Sequence, residues 1–550
     1  MPALRALILI QFRHRSSLLS PWIALALSGW MGSSQLWAAG VTEVTATPDF
    51  VYIRGETRST QVRVLERDPW EAGDLPRRTE PLTRITAPAR FEFAVPRYAE
   101  GRDRLYSAFQ CVEELPDGGV RTLGNRRFVS VFRGISRNRE AFPASRSKKG
   151  LQVQMLDDAL ALGIGHAALN FNLAQLVDVH QRPDSLSWES SGQTFRFRSD
   201  YLRSMDQQVK PLSDAGVIVS LILLVYQSND PQLDQTLLHP LYDPACPNRL
   251  AAFNTVTPQG AQTYIAALEF LADRYNTPQY PHGRVANFII GNEVNSHWFW
   301  SNRGRCTMEE FAEDYLGAVR MANTAVRKAS SSARVYLSLE HHWNIRYPGG
   351  DPGQAFAGKG FLDYFHRRAH EEGDFDWHLA FHPYPENLFE CRTWKDQSAH
   401  NNAETPRITF KNVEQITRYV AAPGWQYAPP PNESYSFPNR RVILSEQGFH
   451  APDGSEGELW QAAAYAYAYR KIAQNPGIDS FILHRHVDHA HEGGLRLGLW
   501  TRKPNSVADP DRPRRMYDVF KRADQPDWAN AFEFALPVIG LQNWEDLRLP

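Results

Sequence analysis

Eight times in succession the sequence sets a short apolar run beside a longer segment with helical spacing. The apolar runs are RRFVSVFRG (126–134), HAALNFNL (166–173), VIVSLILLVY (217–226), ANFIIGNE (286–293), RVYLSLEHH (334–342), FDWHLAFHPY (375–384), RRVILSEQGFH (440–450) and IDSFILHRH (478–486). Between them lie LQVQMLDDALALG, DYLRSMDQQVKPLSDAG, AQTYIAALEFLADRY, MEEFAEDYLGAVRMANTAVRKA, KGFLDYFHRRAHEE, FKNVEQITRYVA and LWQAAAYAYAYRKIAQ. In the second of these, Leu202, Met205, Val209 and Leu212 fall on one helical face, and Thr307 with Glu310 forms a capping box ahead of the fourth. A strand apolar on both faces belongs in a parallel sheet covered by helices, because each crossover must carry the chain back to the same end. Eight units over some 400 residues, with long loops after the strands, predict an α/β fold of the (β/α)8 TIM-barrel type. No glycine-rich phosphate loop follows the first strand, which argues against a nucleotide fold.

Two segments precede the barrel. Residues 1–40 carry Arg5, Arg13 and Arg15 ahead of SLLSPWIALALSGWMG and then small residues at Ala38 and Gly40, the layout of a signal peptide. Its apolar run, broken by Pro21 and Gly29, is shorter than a spanning helix needs. A secreted or periplasmic protein without stable membrane insertion is expected. Residues 41–127 alternate apolar and polar positions between Pro, Gly and Asp clusters, as in VTEVTATPDFVYIRG and RFEFAVPRY, which predicts an N-terminal β-sandwich that either binds glycan or only packs. Residues 128–550 form the barrel. The APPPNES stretch near Pro429 is the one low-complexity tract.

With 60 Lys plus Arg against 61 Asp plus Glu, no surface for nucleic acid is indicated. The four cysteines, Cys111, Cys246, Cys306 and Cys391, have no metal-finger spacing. Either Cys246 and Cys306 pair across loops of one barrel face, or all four are unpaired buried thiols.

In such a barrel the site gathers where the strands end. Those ends supply Asn170 and Asn172, Tyr226, Asn292 with Glu293, Glu340 with His341 and His342, His382 with Tyr384, Glu446, and His484 with His486. Two strands end in Glu after long apolar runs, FIIGNE and VILSE, where an unpartnered carboxylate would cost several kcal/mol. Two carboxylates meeting at the barrel mouth suit cleavage of a glycosidic bond with retention, in which one protonates the leaving oxygen and the other attacks the anomeric carbon from about 5 to 5.5 Å away. Like charges that close push one pKa up, which leaves one acid protonated and one ionised.

The order GNE ending the fourth strand, HPY ending the sixth and SEQG ending the seventh resembles the clan-A retaining glycoside hydrolases. That resemblance implies Glu293 as acid/base, Glu446 as nucleophile, Asn292 on the sugar 2-hydroxyl and Tyr384 hydrogen-bonded to the nucleophile, with a carbohydrate substrate and no cofactor or metal. Two departures stand out: HRHVDHAH where the clan often has a Trp on strand eight, and NFN where an Arg is usual near the end of strand two. His382, Asn170, His484 and His486 complete the expected substrate-binding set, with Trp298 and Trp343 as platforms on which sugar rings stack, beside Phe299 and Trp300. Two alternatives stay open. His484, His486, His489, His491 and Asp488, with His341, His342 and His382 on other strands, would suit a metal-dependent hydrolase; a barrel that binds carbohydrate without cleaving it would carry the same residues without the geometry. Glu340 is the rival for a catalytic role.

Overall fold

The computed structural model describes residues 39–73, 75–427 and 439–547. The expected signal peptide and the APPPNES tract lie outside the described residues, apart from the last two positions of the former. Eight parallel strands close into a barrel in sequence order: β1 Lys149–Gln152, β2 His166–Asn172, β3 Ile218–Leu224, β4 Val285–Ile290, β5 Arg334–Glu340, β6 Trp377–His382, β7 Val442–Leu444 and β8 Ile478–Leu483. Every residue of β3 and of β5 is buried, as a strand packed on both faces requires. Helices cover the outside. Leu202, Met205, Val209 and Leu212 are all buried in Ser199–Asp214, and Met308–Ala329 begins with the expected Thr307–Glu310 capping box.

The first strand is not where the apolar pattern put it. Residues 126–134 pair with the N-terminal sheets: Val120–Phe128 runs antiparallel to Ala108–Glu114, and Val131–Phe132 runs parallel to Gly40–Ala46. β1 instead occupies the start of the segment expected to be helical, and the helix begins only at Leu156. Space decides the matter. Gly150 sits between β8 and β2, where an added Cβ would meet Ile482 Cγ1 at 2.8 Å and the His166 Cβ at 2.9 Å, so the strand that closes the barrel has to be glycine-bearing and short. Its single large apolar residue, Leu151, gives no apolar run to detect.

Ahead of the barrel lie two four-stranded sheets. One contains Gly40–Ala46, Phe50–Thr57, Ala89–Pro96 and Val131–Phe132; the other contains Val62–Arg67, Thr83–Ile85, Ala108–Glu114 and Val120–Phe128. Val44, Val51 and Ile53 of the first and Val64, Phe109 and Cys111 of the second are buried in one apolar cluster. Charged groups tie these sheets to the barrel helices: Arg126 Nε donates to Glu372 at 2.8 Å, and Tyr106 donates to Glu269 at 2.7 Å. A hairpin after β2, Leu186–Ser190 with Gln193–Phe197, has no counterpart in the sequence expectation. Among the described residues no helix is long and apolar enough to cross a membrane. All four cysteines are free thiols, so no bridge joins Cys246 to Cys306; Cys246 faces the Tyr242 hydroxyl and Cys306 faces His297.

Candidate active site

Ala168, Ile222, Ile289, Tyr336, Ala380, Ile443 and Ile482 fill the barrel interior as one apolar cluster. Because side chains alternate along a strand, the residues two places further on face the mouth: Asn170, Leu224, Gly291, Ser338, His382, Ser445 and His484. Leu224 apart, the floor of the site is therefore built from small and polar groups resting on an apolar plug.

Glu293 leaves β4 through a sharp turn. Gly291 has φ +75°, Glu293 itself is left-handed at φ 42° and ψ 49°, and a one-turn 3-10 helix, Val294–Ser296, follows. A left-handed non-glycine residue costs on the order of 1–2 kcal/mol, so its surroundings must hold it. The Glu293 amide donates to Ser338 Oγ at 3.1 Å. The turn beyond it is clamped by Glu340, whose carboxylate accepts from Asn295 Nδ2 (2.7 Å), Ser296 Oγ (3.0 Å), the His342 amide (2.9 Å) and His342 Nδ1 (2.6 Å). Burial would raise the Glu340 pKa, but the His342 bonds and the adjoining histidines outweigh it and hold it down at about 2. With both oxygens doubly bonded, Glu340 is an anchor for the Glu293 turn and offers no free lone pair for attack.

Glu293 and Glu446 meet across the mouth with His382 between them: one oxygen of each carboxylate and a ring nitrogen of His382 lie within 4.8 Å of one another. His382 Nδ1 is 2.9 Å from Glu293 Oε1, and its Nε2 is 2.9 Å from Ser445 Oγ. Glu446 accepts from Tyr384 OH at 3.2 Å on one oxygen and from Gln152 Nε2 at 3.1 Å on the other. The two carboxyls are driven apart in acidity. Burial raises Glu293, and the neighbouring Glu446 and Glu340 charges reinforce it against the His382 hydrogen bond. Burial also pushes Glu446 up, but His484, His382 and the Gln152 and Tyr384 hydrogen bonds outweigh it, so its pKa is lowered. Burial depresses His382, yet Glu293 and Glu446 prevail and its pKa is raised. Burial and the Glu446 charge push the Tyr384 hydroxyl well above its usual value, which keeps it a donor.

The other expected residues divide. Asn170 is exposed on the mouth-facing side of β2, and Asn292 is buried beside Glu293. His484 reaches the site through Gln152, at 2.6 Å from its Oε1. Three expectations fail. Trp343 is 1% exposed and packs edge-on against Phe381 and Tyr419, which makes it core. Trp298 is 8% exposed, because the segment after β4 coils into His297–Trp300 and turns this ring inward. His486 lies beyond the end of β8, fully buried; its Nε2 is 2.8 Å from Asp158, its Nδ1 accepts the Gln154 and Met155 amides, and Asp158 also takes Trp500 Nε1 and Tyr517 OH. It latches the loop after β1 and does not line the mouth. The aromatic rings at the mouth are Trp300 and Tyr226, packed over the interior plug, and Tyr347, 38% exposed and edge-on to Phe299 at 4.8 Å.

The histidine run after β8 does not gather around one point. Asp488 pairs with Arg514, and the His489 and His491 rings meet edge-on with centroids 5.3 Å apart. Donor atoms converge in two places among the described residues, Glu340–His341–His342 and Glu293–His382–Glu446. In the first, both Glu340 oxygens and His342 Nδ1 are engaged in hydrogen bonds, while His341 Nδ1 has none. In the second, both ring nitrogens of His382 are engaged by Glu293 and Ser445, and its raised pKa favours a proton where a cation would need a lone pair.

A family model described as a family of unknown function, DUF5722, matches residues 141–547. The chain belongs to this family. The match begins just before β1 and leaves the two N-terminal sheets outside it. No curated protein matches. Among solved structures the chain is similar to a family 39 glycoside hydrolase from Bacteroides cellulosilyticus WH2 at 11% identity, covering 88% of this chain and 81% of that one with a TM-score of 0.42. It is also similar to the Bacteroides uniformis β-glucuronidase at 10% identity, covering 89% and 50% with a TM-score of 0.38. A third is a β-glucosidase from Pyrococcus furiosus at 13% identity, covering 70% and 86% with a TM-score of 0.38. Likenesses this distant carry no functional argument.

In this DUF5722 chain, sequence reasoning missed Gln152, Ser338, Ser445 and Glu492. Gln152 was hidden with β1. Ser445 stood beside Glu446 in the VILSE run, at the parity that faces the mouth. Glu492, which holds His484 Nε2 at 2.9 Å, sits in a loop with no periodicity to mark it.

Proposed function

We propose that this protein is a retaining glycoside hydrolase acting on an oligo- or polysaccharide, with Glu446 as nucleophile and Glu293 as acid/base. The observation that carries the reading is the approach of two carboxylates, from β4 and β7, to within 4.8 Å, with one pKa raised and the other lowered. Glu446, ionised and held by Tyr384 and Gln152, attacks the anomeric carbon as Glu293 gives its proton to the departing glycosidic oxygen. The glycosyl ester on Glu446 is then broken by water, whose proton returns to Glu293 as the oxygen bonds the anomeric carbon. His382 bridges the two stations: its Nδ1 faces Glu293, and the two carboxylates raise its pKa, which favours a positive charge beside Glu446. Asn170 and Asn292 supply amides for sugar hydroxyls, and Trp300, Tyr226 and Tyr347 supply ring faces.

The separation favours retention. An inverting pair stands about 6.5–9.5 Å apart to admit a water between base and sugar. Export by residues 1–40, and a sandwich formed by the two N-terminal sheets as an accessory unit, belong to the same reading. A panel of aryl glycosides and polysaccharides, assayed with wild type and Glu446→Gln side by side and followed by proton NMR of the first-formed anomer, tests it. Hydrolysis with retention in wild type and its loss in the variant are expected. An inverted product, or equal turnover by both proteins, would overturn it.

A further inference from the structure

The side chain that grips Glu446 from below is itself gripped by a charge relay that the two-carboxylate mechanism does not use. Gln152 Nε2 donates to Glu446 Oε2 at 3.1 Å, and a carboxylate facing it fixes which end of the amide is which. Gln152 Oε1 is therefore the end turned to His484 Nδ1, 2.6 Å away, and an amide oxygen can only accept; Nδ1 carries a hydrogen. On the far side of the ring, His484 Nε2 is 2.9 Å from Glu492 Oε1. Burial raises the pKa of Glu492, but His484 and Arg485 outweigh it and keep this carboxylate ionised, an acceptor only. Arg485 Nε donates to the same ring atom at 3.4 Å, and Arg485 Nη2 pairs with Glu492 directly at 2.8 Å.

We propose that Glu492 is a positioning residue for the nucleophile: with Arg485 it fixes the far side of the His484 ring, whose Nδ1–H holds Gln152 Oε1 and so aims Gln152 Nε2 at the Glu446 carboxylate. The proposal rests on the retaining-glycosidase reading of the site. It also gives a use to the strand-eight histidine, which stands where the resembled clan often has a Trp. Charge and a directional amide replace an aromatic wall at this side of the sugar. The groups that face His484 are Gln152 from β1, Glu446 from the end of β7, and Arg485, His489 and Glu492 from the segment after β8. Those that face Glu446 are His484, Gln152, Tyr384, His382, Tyr226, Glu293 and Glu492 itself.

Substituting Glu492→Gln removes the anion at Nε2 without changing the length of the side chain, and Glu492→Asp restores it at shorter reach. Two readouts separate this inference from the function it rests on. The first needs no substrate: selectively labelled histidine NMR, with His484→Asn used to assign the signal, reports the Nδ1–H of His484 and how fast it exchanges with solvent. Wild type should give a slowly exchanging Nδ1–H, Glu492→Gln a faster one, and Glu492→Asp a slow one again. The second is the kcat/KM profile against an aryl glycoside. In Glu492→Gln its acid limb should move up by about one pH unit, as expected when a carboxylate loses a well-placed hydrogen-bond donor, and return in Glu492→Asp. Unfolding in urea, matched to wild type, shows that the variant has kept its fold. A His484 Nδ1 without hydrogen in wild type, or an acid limb unmoved in Glu492→Gln, would overturn the proposal. Failure of the glycosidase reading would leave wild type inactive with the NMR result intact.

Discussion

Glu340→Gln separates an anchor from a nucleophile. The wild-type carboxylate accepts four hydrogen bonds, two on each oxygen. Glutamine keeps one accepting oxygen, so its amide NH2 must face either Asn295 Nδ2 with Ser296 Oγ, or the His342 amide with His342 Nδ1. The Ser296 hydroxyl can turn and accept, which relieves one conflict; at least one buried donor then points at another. Bonds to a charged acceptor contribute roughly 1.5–3 kcal/mol each, and breaking a buried ionic set by removing one member costs about 3–5 kcal/mol, so a loss of about 3–4 kcal/mol is expected. Equilibrium unfolding in urea measures it, with the slope unchanged and the midpoint lowered. Activity should fall in parallel, since Asn295 and Ser296 form the turn that carries Glu293. A destabilisation below about 1 kcal/mol with activity abolished would refute the reasoning, because it would mean that the hydrogen bonds are idle and Glu340 does chemistry.

Three more outcomes follow from the same geometry. With Glu446 lowered and Glu293 raised from the usual 4.5, the kcat/KM profile should be a bell whose acid limb lies below that value, where Glu446 takes up a proton, and whose alkaline limb lies above it, where Glu293 loses one; limbs that coincide would contradict the assignment. Glu340, held at about 2, stabilises the fold fully above the unfolded-state value near 4.3 and loses that contribution as pH falls through 2, so urea midpoints should drop over this window in wild type and less in Glu340→Gln. Trp343→Ala should cost about 3–5 kcal/mol of stability as a core cavity, whereas Trp300→Ala should leave stability within about 1.5 kcal/mol and raise KM several-fold; the reverse pattern in unfolding and kinetics would move the sugar platform.

How much the sequence disclosed varied with how much of each element is buried on both faces. Parallel strands such as Ile218–Leu224 and Arg334–Glu340 are apolar throughout, and a run of that kind is legible without knowing its neighbours. β1 is not, because barrel closure there demands Gly150 and leaves one large apolar residue, while the more apolar 126–134 segment belongs to the N-terminal sheets. Losing β1 also hid Gln152. Residues that end strands, Glu293, His382 and Glu446, could be placed by the order of the strand ends alone. Residues one loop beyond could not: Trp298, Trp343 and His486 looked available in the sequence, yet the loops after β4, β5 and β8 fold back and bury them. The turn at Glu293 and the Glu340 clamp depend on contacts between neighbouring strands, which no local pattern encodes.

The central claim, that Glu446 becomes covalently linked to the sugar, is tested most directly by mass spectrometry after incubation with a panel of 2,4-dinitrophenyl 2-deoxy-2-fluoroglycosides. The expected result is one fluoroglycosyl group per chain on the peptide containing Glu446, absent in Glu446→Gln. A label on Glu340 or Glu293, or turnover of the parent glycoside with no trapped ester, would contradict it.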